Sequence, residues 1–267
     1  MTMSDQKIVI VTGASSGIGQ AIAAQLRRSG WRVFGTMRRP DPDRDGPDGL
    51  TLDVTSDQSV QAAVAEVLAR TGRIDAVVNN AGIDTLGAVE ETTAQEALDL
   101  FQTNFFGVHR LVRAVLPAMR ERKAGRLVTI GSIAGFLPIP FDAFYSSSKH
   151  ALEGYCESLD FEVRPFGIHT VLIQPGFVRS QIRSNLIRTK ASIGVYAKDR
   201  ERVCGILDRG VEGGVDPIRV AEVVERALNS VRPKLRIRVG RDGHMLHFLY
   251  HHLPTEMFAA GMRQRFG

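Results

Sequence analysis

Residues 8–37 read IVIVTGASSGIGQAIAAQLRRSGWRVFGTM. The stretch opens with a short run of consecutive apolar residues. Apolar residues then recur at four-residue spacing, at Ile18, Ile22 and Leu26. This spacing predicts one face of a helix, and the glycine at position 30 is a common helix end. A second apolar run follows and ends at Met37, so the stretch is interpreted as a strand, a helix and a second strand.

The same alternation continues along the chain. Further strands are predicted at Leu50–Leu52, Ile74–Val78, Leu127–Ile130, Thr170–Ile173 and Ile237–Val239. Helices are predicted between them, from Ser56 to Gly72, from Thr93 to about Arg122 with a bend near Asn104, and over residues 144–164. Strands separated by helices predict a parallel sheet covered on both faces. The expected fold is a Rossmann-type doubly wound α/β/α sandwich in three layers, as a single domain over residues 1–267.

Composition and charge narrow the functional classes. The 267 residues are 43% hydrophobic and 24% charged, with a formal net charge of +5, which is ordinary for a globular protein. The sequence has no recognisable secretory leader and no apolar run of membrane-spanning length, so a cytoplasmic protein without a transmembrane segment is expected. Its lysines and arginines are dispersed, so no nucleic-acid partner is expected. Cys156 and Cys204 have no metal-binding spacing, and no metal site is predicted.

Three glycines occupy the connection between the first strand and the first helix, at positions 13, 17 and 19. In a tight turn of this kind, backbone N–H groups and the positive end of the helix can approach a pyrophosphate. The glycines therefore predict a dinucleotide site, although their spacing differs from the Gly-x-Gly-x-x-Gly fingerprint. An ordinary glycine-rich turn is the alternative.

Tyr145 and Lys149 are the clearest indication of chemistry. They stand four residues apart in the helix predicted over residues 144–164, so both point to the same side. A nearby cation favours the ionised phenol and would lower the tyrosine pKa from about 10 toward neutral pH. Tyr145 would then be a usable general acid or base, and Ser132 could orient a substrate oxygen. In the alternative, Tyr145 packs at a helix start and Lys149 is only solvated.

Several motifs occur together in the order found in one known family. They are Thr12 to Gly19, Asn79-Asn80-Ala81-Gly82, Asn104, Ser132, Tyr145, Lys149 and Pro175-Gly176. On these residues the chain resembles the short-chain dehydrogenase/reductase family over about residues 7–239. The sequence after Tyr145 and the tail resemble its steroid and retinol dehydrogenase branch. The resemblance implies a nicotinamide-binding domain with the active site at the carboxyl ends of the strands.

The resemblance also implies roles for individual residues. The hydroxyls of Ser132 and Tyr145 would bind the substrate carbonyl, and Tyr145 would protonate its oxygen. Lys149 would hold the nicotinamide ribose and, together with the positive charge of the oxidised cofactor, lower the tyrosine pKa. Asn104 would complete a proton relay through a water. Asp53 would bind the adenine amino group, and the backbone of Val178 would meet the nicotinamide carboxamide. The cofactor-binding residues implied are Gly13, Ser15, Ser16, Gly17, Ile18, Gly19, Arg38, Asp53, Val54, Asn80, Ala81, Gly82, Tyr145, Lys149, Pro175, Gly176, Val178 and Ser180.

The end of the second strand bears on the choice of nicotinamide cofactor. An acid there accepts hydrogen bonds from the ribose of NAD, whereas an arginine binds the 2′-phosphate of NADP. The strand ends in Met37-Arg38-Arg39, with methionine where NAD-preferring relatives usually carry aspartate. Arg38 has the planar donor geometry that suits phosphate, so NADP(H) is predicted. Alternatively, both arginines are solvated and Asp41 or Asp43 binds the ribose.

Two segments are predicted to shape the substrate end. By resemblance, residues 177–211 form a lid, which contains eight lysines or arginines and three acids. These cations either face water or bind an anionic group of the substrate, with Arg183 and Arg188 as the residues to test. Residues 240–267 form an apolar helical tail that either covers a lipophilic pocket or packs on the core. The tail histidines are interpreted as surface residues rather than metal ligands.

The sequence thus predicts an NADP(H)-dependent oxidoreductase that transfers a hydride between nicotinamide and a carbonyl or secondary alcohol. The expected small-molecule substrate is fairly apolar, like a steroid, a retinoid or a simple ketone. A homodimer or homotetramer is expected, because the helices carrying Asn104 and Tyr145 are the usual dimer faces of the family. Two alternatives stay open, a 3-oxoacyl-thioester reductase and a non-catalytic NADP-sensing regulator on the same fold.

Overall fold

The fold is described by a computed structural model over residues 6–41, 46–180 and 186–266. The strands in this part of the chain are β1 (Ile8–Thr12), β2 (Arg32–Met37), β3 (Gly49–Thr51), β4 (Ala76–Asn79), β5 (Thr85–Leu86), β6 (Gly125–Ile130), β7 (Ile168–Pro175), β8 (Ile187–Arg188) and β9 (Arg236–Val239). Seven of them form one parallel sheet in the order β3-β2-β1-β4-β6-β7-β9. The chain order reverses between β1 and β4, and such a point opens a crevice at the carboxyl ends of the strands.

Helices cover both faces of this sheet. Within the described ranges they are α1 (Gly17–Arg28), α2 (Asp57–Thr71), α3 (Ala94–Phe101), α4 (Gly107–Glu121), α5 (Ala143–Val163), α6 (Ala197–Glu212), α7 (Pro217–Asn229), α8 (Arg241–His252) and α9 (Thr255–Phe266). The alternation of strands and helices confirms the predicted Rossmann-type, doubly wound, three-layer fold in a single domain.

The core consists of two apolar layers separated by the sheet. On β1, Val9 and Val11 point to the layer that contains α1 and α7, while Ile8 and Ile10 point to the layer that contains α2, α4 and α5. All four side chains are buried, because successive residues of a strand face opposite sides and both sides are covered. This explains why the strand reads as a continuous apolar run.

Local signals set the helix ends as predicted. The Ser56 hydroxyl accepts a hydrogen bond from the Ser59 N–H at 3.2 Å before α2, and Gly72 ends that helix at φ +71°. Before α3, the Thr93 hydroxyl accepts from the Glu96 N–H at 3.2 Å, and the Glu96 carboxylate accepts from the Thr93 N–H at 2.9 Å. This reciprocal capping box confirms the helix start that the sequence predicted.

The predicted bend near Asn104 is a turn of π-helix over Gln102–Phe106, between α3 and α4. A π turn contains one residue more than an α turn, so it shifts the helix face at that point. Asn104 lies in the middle of this turn and is 1% exposed. The bend therefore brings an amide side chain into the interior.

One pairing of short strands was not predicted, and the structure also shows where the predicted helical tail packs. The short strands β5 and β8 pair in parallel, with Thr85 opposite Ile187, which joins the segment after β4 to the predicted lid. The tail forms the helices α8 and α9, whose Phe258 packs with Ile133 and Phe136 in the loop after β6. The tail therefore packs beside the end of β6.

In residues 6–41, 46–180 and 186–266, none of the helices has both the length and the apolar character needed to cross a membrane. The same residues contain no group of three histidine, cysteine, aspartate or glutamate side chains arranged to hold a metal ion.

Replacing Val115 by alanine tests the packing of the helical layer. Val115 lies on α4 and is fully buried, so its two lost methyl groups and the resulting cavity should lower the free energy of unfolding by about 2 kcal/mol. Val231 is 86% exposed, so Val231→Ala is the matched control and should change the stability by less than about 0.5 kcal/mol. Urea unfolding of both variants measures the difference, and equal stabilities would contradict this account of the core.

Candidate active site

A cavity of about 810 Å³ opens at the carboxyl ends of the strands. Its wall contains Ser132, Tyr145 and Lys149 and every predicted cofactor-binding residue except Gly19. Asn104 does not line the cavity but lies behind its wall. The cavity therefore brings together the glycine turn after β1 and the motifs that follow β4, β6 and β7, whose strands lie side by side in the sheet.

The glycine turn after β1 is fixed by the end of β4. The Thr12 hydroxyl accepts hydrogen bonds from the N–H groups of Asn80 and Ala81, at 2.9 and 3.0 Å. In return, the Asn80 side-chain amide donates to the carbonyls of Thr12 and Gly13, at 2.9 and 3.2 Å. The Asn-Asn-Ala-Gly run thus braces the turn, so the wall of the cavity is rigid where both motifs meet.

The turn also fits a pyrophosphate group. A Cβ atom at position 19 would lie 2.1 Å from the Gly13 carbonyl oxygen, so the first turn of α1 approaches the loop more closely than any side chain permits. That first turn carries no acidic residue, and Ser16 at the N-cap makes no side-chain capping bond. The partial positive charge at the helix end is therefore not opposed by a carboxylate, which favours an anion there. Gly19 contributes through this close approach although it does not line the cavity.

The adenosine end of the predicted cofactor site contains Arg38 and Asp53. Arg38 is exposed and follows the buried Met37 at the end of β2. The Asp53 carboxylate accepts hydrogen bonds from the N–H and hydroxyl of Thr55, at 2.9 and 2.7 Å. These bonds, with a smaller effect of nearby arginines that include Arg38, lower the pKa of Asp53. Asp53 is therefore held as an anion beside the arginine.

The alternative prediction gave the ribose contact to Asp41 or Asp43 instead of Arg38. Asp41 is exposed and does not line the cavity. Asp43 lies outside the described residues, as do Arg183 and the side chain of Arg188 in the predicted lid. Among the described charged residues that follow β2, namely Arg38, Arg39 and Asp41, Arg38 lines the cavity and the other two do not.

Tyr145 and Lys149 lie on one face of α5, as predicted. The Lys149 ammonium nitrogen is 5.5 Å from the centre of the Tyr145 ring and donates a hydrogen bond to the Ile130 carbonyl at 3.1 Å. Ser132 follows β6 at the N-cap of a short 3-10 turn, where its hydroxyl accepts from the Ala134 N–H at 3.1 Å. The same hydroxyl interacts with the Tyr145 phenol. The three predicted catalytic side chains therefore share one corner of the cavity.

The electrostatics of this corner differ from the prediction. Burial raises the pKa of Tyr145, the carboxylates of Asp84 and Asp142 raise it further, and the hydrogen bond with Ser132 only partly opposes them. Burial also lowers the pKa of Lys149 to about 8, against an opposing effect of Asp84. Burial and the two carboxylates therefore oppose the lowering of the tyrosine pKa that the Tyr145 and Lys149 spacing predicted, and the joint effect of Lys149 and an oxidised cofactor stays a prediction.

Asp84 and Asp142 are residues of the site that the sequence did not identify. They are 7% and 5% exposed and line the cavity near Tyr145. Asp142 occupies the N-cap of α5, yet its side chain makes no capping bond with the helix. A signal was present, because Asp84 follows the Asn-Asn-Ala-Gly run by two residues and Asp142 precedes Tyr145 by three.

Asn104 connects the helix bend to the catalytic helix. Its side-chain oxygen accepts from the Ile83 N–H at 2.9 Å, and its nitrogen donates to the Ile83 carbonyl at 2.9 Å and to the Ser148 hydroxyl at 3.2 Å. Ser148 in turn donates to the Tyr145 carbonyl at 2.7 Å. These contacts fix the backbone of Tyr145, while the proton relay stays a prediction.

The segment after β8 is anchored by a buried carboxylate. Glu91 is 1% exposed and accepts hydrogen bonds from the N–H groups of Ala88 and Ile193, at 2.9 and 2.7 Å. It also forms an ion pair with Arg200 of α6. Burial alone would raise the pKa of Glu91, but these partners lower it to about 2. The described part of the predicted lid is thus held to the loop after β5.

The cavity beyond Tyr145 has an apolar wall. It consists of side chains from the loop before α5, the loop after β7, β8 and α6, namely Ile139, Phe177, Ile187, Leu207 and Val211. None of the described residues after Val211 lines the cavity. The tail helices α8 and α9 therefore pack beside the cavity rather than over it. The arrangement can bind an apolar molecule whose polar group reaches Ser132 and Tyr145.

Comparison with known proteins agrees with the site. The model of the short chain dehydrogenase family matches residues 7–191. The chain is 36% identical over 236 residues to a 3-ketodihydrosphingosine reductase of Bacteroides thetaiotaomicron, with 88% of each chain covered. It is 33% identical over 256 residues to retinol dehydrogenase 8 of Bos taurus, with 87% of this chain and 81% of the relative covered. The second match agrees with the branch predicted from the sequence.

Solved structures give the same result. A short-chain dehydrogenase of Streptomyces avermitilis has a TM-score of 0.83 and 37% identity, covering 97% of this chain and 96% of its own. A short chain dehydrogenase/reductase of Burkholderia phymatum in complex with NAD has a TM-score of 0.79 and 26% identity, covering 98% and 97%. A variant actinorhodin polyketide ketoreductase with NADPH has a TM-score of 0.76 and 31% identity, covering 91% and 98%. Similar structures therefore hold NAD or NADPH.

Replacing Glu91 by glutamine tests the buried anchor through its pH dependence. The pKa of Glu91 is about 2 in the folded chain and 4.5 in its ordinary state, so the ionised group stabilises the fold above pH 4.5. Glu91→Gln should cost about 3 kcal/mol at pH 7, because it leaves Arg200 without its buried partner. The difference from the wild type should shrink as the pH falls from about 5 toward 3, because Glu91 takes up a proton in the unfolded chain while it stays ionised in the folded chain.

Thermal unfolding of both proteins from pH 7 to pH 3 measures this effect. Glu256→Gln is the control, because the Glu256 side chain is 89% exposed and should show no such trend. A stability difference that stays constant down to pH 3 would contradict the proposed role of the Glu91 charge.

Proposed function

The chain belongs to the short-chain dehydrogenase family. We propose that it is an NADP(H)-dependent oxidoreductase that transfers a hydride between nicotinamide and a carbonyl or secondary alcohol on a fairly apolar small molecule. The family supports an oxidoreductase acting on carbonyl or alcohol groups. One observation carries the proposed reaction. Ser132, Tyr145 and Lys149 line the same cavity as the predicted cofactor-binding residues and the apolar wall.

The chain's own residues support chemistry at a carbonyl or alcohol oxygen. Ser132 and Tyr145 present two hydroxyls to the same part of the cavity, so both can donate to one substrate oxygen. Burial keeps the Tyr145 phenol protonated, and the positive charges of Lys149 and of the oxidised cofactor would have to lower its pKa for ready proton exchange with that oxygen. When bound, the reduced nicotinamide would supply the hydride to the carbonyl carbon. Lys149 would bind the cofactor ribose from the same face of α5.

The preference for NADP rests on charge at the end of β2. Arg38 borders the cavity beside Asp53, and no acidic residue stands at position 37, where Met37 is buried. A planar guanidinium can bind a 2′-phosphate through two hydrogen bonds, whereas a ribose hydroxyl gains little from it. The residues present therefore fit NADP(H).

The apolar wall supports a lipophilic ketone or alcohol. The names of two relatives, 3-ketodihydrosphingosine reductase and retinol dehydrogenase 8, agree with substrates of this kind. The likeness to a polyketide ketoreductase supports the second candidate, a 3-oxoacyl-thioester reductase. The described part of the lid carries the exposed cations Lys190 and Lys198, neither of which lines the cavity.

A cytoplasmic homodimer or homotetramer belongs to the same proposal. Exposed apolar side chains on the helices around the π turn and on α5 support an interface there. They are Leu98 at 53%, Phe106 at 40% and Phe161 at 80% exposure. A non-catalytic NADP-sensing regulator is the remaining alternative, and the complete catalytic set speaks against it.

Replacing Tyr145 by phenylalanine tests the reaction. The variant loses the proton donor but keeps the ring, so turnover of any accepted ketone should fall by at least about 1,000-fold while NADPH binding changes little. A panel of steroids, retinoids, simple ketones and acyl-thioesters, followed by NADPH absorbance, identifies the substrate class and provides the assay. Turnover by Tyr145→Phe at the wild-type rate would exclude the proposed mechanism. Tight NADPH binding by the wild type without turnover of any compound would support the sensor instead.

Replacing Arg38 by alanine tests the cofactor preference. Loss of the bidentate contact should raise KM for NADPH by about 30-fold and leave KM for NADH within about 3-fold. Arg39→Ala is the matched control, since Arg39 is an exposed neighbour that does not line the cavity. Kinetics with both cofactors in parallel distinguish the outcomes. Equal effects of Arg38→Ala on NADPH and NADH would contradict a 2′-phosphate contact.

A further inference from the structure

The tail holds the loop that follows β7. The Asp242 carboxylate, in the first turn of α8, accepts a hydrogen bond from the Phe177 N–H at 2.8 Å. The preceding residue, Gly176, donates its own N–H to the Val239 carbonyl at 2.9 Å. Two successive N–H groups of the loop are therefore bonded to the C-terminal part of the chain. Sixty-five residues separate Asp242 from Phe177 in the sequence.

The contact depends on space left by two glycines. A Cβ atom at Gly176 would lie 2.1 Å from one Asp242 carboxylate oxygen, and a Cβ atom at Gly240 would lie 2.3 Å from the other. A side chain at either position would displace the carboxylate. The geometry around Asp242 is therefore specific to this acid and these glycines, rather than a chance approach of an exposed chain.

A carboxylate suits this place for two reasons. Its hydrogen bond with a backbone N–H is charge-assisted, which makes it stronger than a bond to a neutral acceptor. It also lies at the N-terminal turn of α8, where the helix dipole stabilises a negative charge. The helix thus keeps the anion in position to receive the Phe177 N–H.

The carbonyl and the ring of Phe177 contact the segments around α6 and α7. Its carbonyl accepts from the Val215 N–H at 2.9 Å, before α7. Its ring meets α6, where a Cβ atom at Gly210 would lie 2.7 Å from two ring carbons. Gly176, Phe177 and Val178 all line the cavity, whereas Asp242 does not. Asp242 therefore acts on the cavity through the backbone of Phe177.

We propose that Asp242 is a positioning residue that fixes Gly176, Phe177 and Val178 against the nicotinamide end of the cofactor. The C-terminal tail then contributes to cofactor binding from outside the cavity. This inference rests on the proposed function for the identity of the cofactor, and on the observed contacts for the loop itself. Loss of the carboxylate should loosen the loop and weaken contacts with the nicotinamide, while the adenosine end keeps its own contacts at Arg38 and Asp53.

The experiment compares Asp242→Ala, Asp242→Asn and the control Glu256→Ala with the wild type. Hydrogen exchange of the peptide containing Phe177, measured on the protein alone, should be at least about 10-fold faster in Asp242→Ala. NADPH binding, followed by its fluorescence, should weaken by about 10-fold, and binding of 2′-phospho-ADP-ribose, which lacks nicotinamide, should change by less than about 2-fold. Asparagine still offers an oxygen acceptor and should restore most of both properties. Glu256→Ala should match the wild type.

Two results would overturn the proposal. One is wild-type exchange at Phe177 together with wild-type NADPH affinity in Asp242→Ala. The other is an equal loss of affinity for NADPH and for 2′-phospho-ADP-ribose, which would mean a general structural defect. If Asp242→Ala does not fold, Asp242→Ser, whose side chain is too short to keep the contact, takes its place. A wild-type protein that binds NADPH but reduces no carbonyl would contradict the proposed reaction and leave these comparisons intact.

Discussion

The cavity depends on the hydroxyl of Thr12. Thr12 is 2% exposed at the end of β1, and its hydroxyl oxygen accepts hydrogen bonds from two successive N–H groups that follow β4. The neighbouring strands are thereby joined at the position where the strand order reverses, and the glycine turn on one side is fixed to the Asn-Asn-Ala-Gly run on the other. Both cofactor motifs keep their places because buried backbone groups must be satisfied, and here one side chain satisfies two of them. The two motifs are thus one structural unit, although sixty-eight residues separate Thr12 from Asn80.

The catalytic corner favours neutral groups over charged ones. Burial raises the pKa of Tyr145 and lowers that of Lys149, so desolvation acts on both residues in the direction that removes charge. The carboxylates of Asp84 and Asp142 add to the effect on the tyrosine. A tyrosine whose pKa is raised holds its proton tightly, so efficient proton exchange in either direction needs further positive charge close to the phenol. The electrostatics of this corner thus make the proposed chemistry depend on charge that the bound cofactor would bring.

Helix ends could be predicted from the sequence because their signals are local. Contacts between residues far apart in the sequence could not be predicted. Ser56, Gly72 and the Thr93 capping box marked helix ends because each acts within four residues of itself. The Tyr145 and Lys149 pair was likewise visible as an i, i+4 spacing. Burial cannot be read from that spacing, so the rise that it causes in the pKa of Tyr145 was not foreseen. Contacts such as Glu91 with Arg200 or Phe177 with Asp242 join residues 109 and 65 positions apart, and only the folded chain brings them together.

The π turn at Asn104 shows how one residue can serve two neighbours. Each residue of an α-helix rotates the chain by about 100°, so the extra residue of the turn offsets everything in α4 by that angle. Asn104 can therefore face Ile83 and Ser148 while Leu111 and Val115 still face the core. Shortening the turn by one residue would force a choice between these two orientations. An insertion or deletion of even one residue in the π turn would therefore rotate α4 relative to Asn104. Changes in length are tolerable only outside the turn and the helices that it joins.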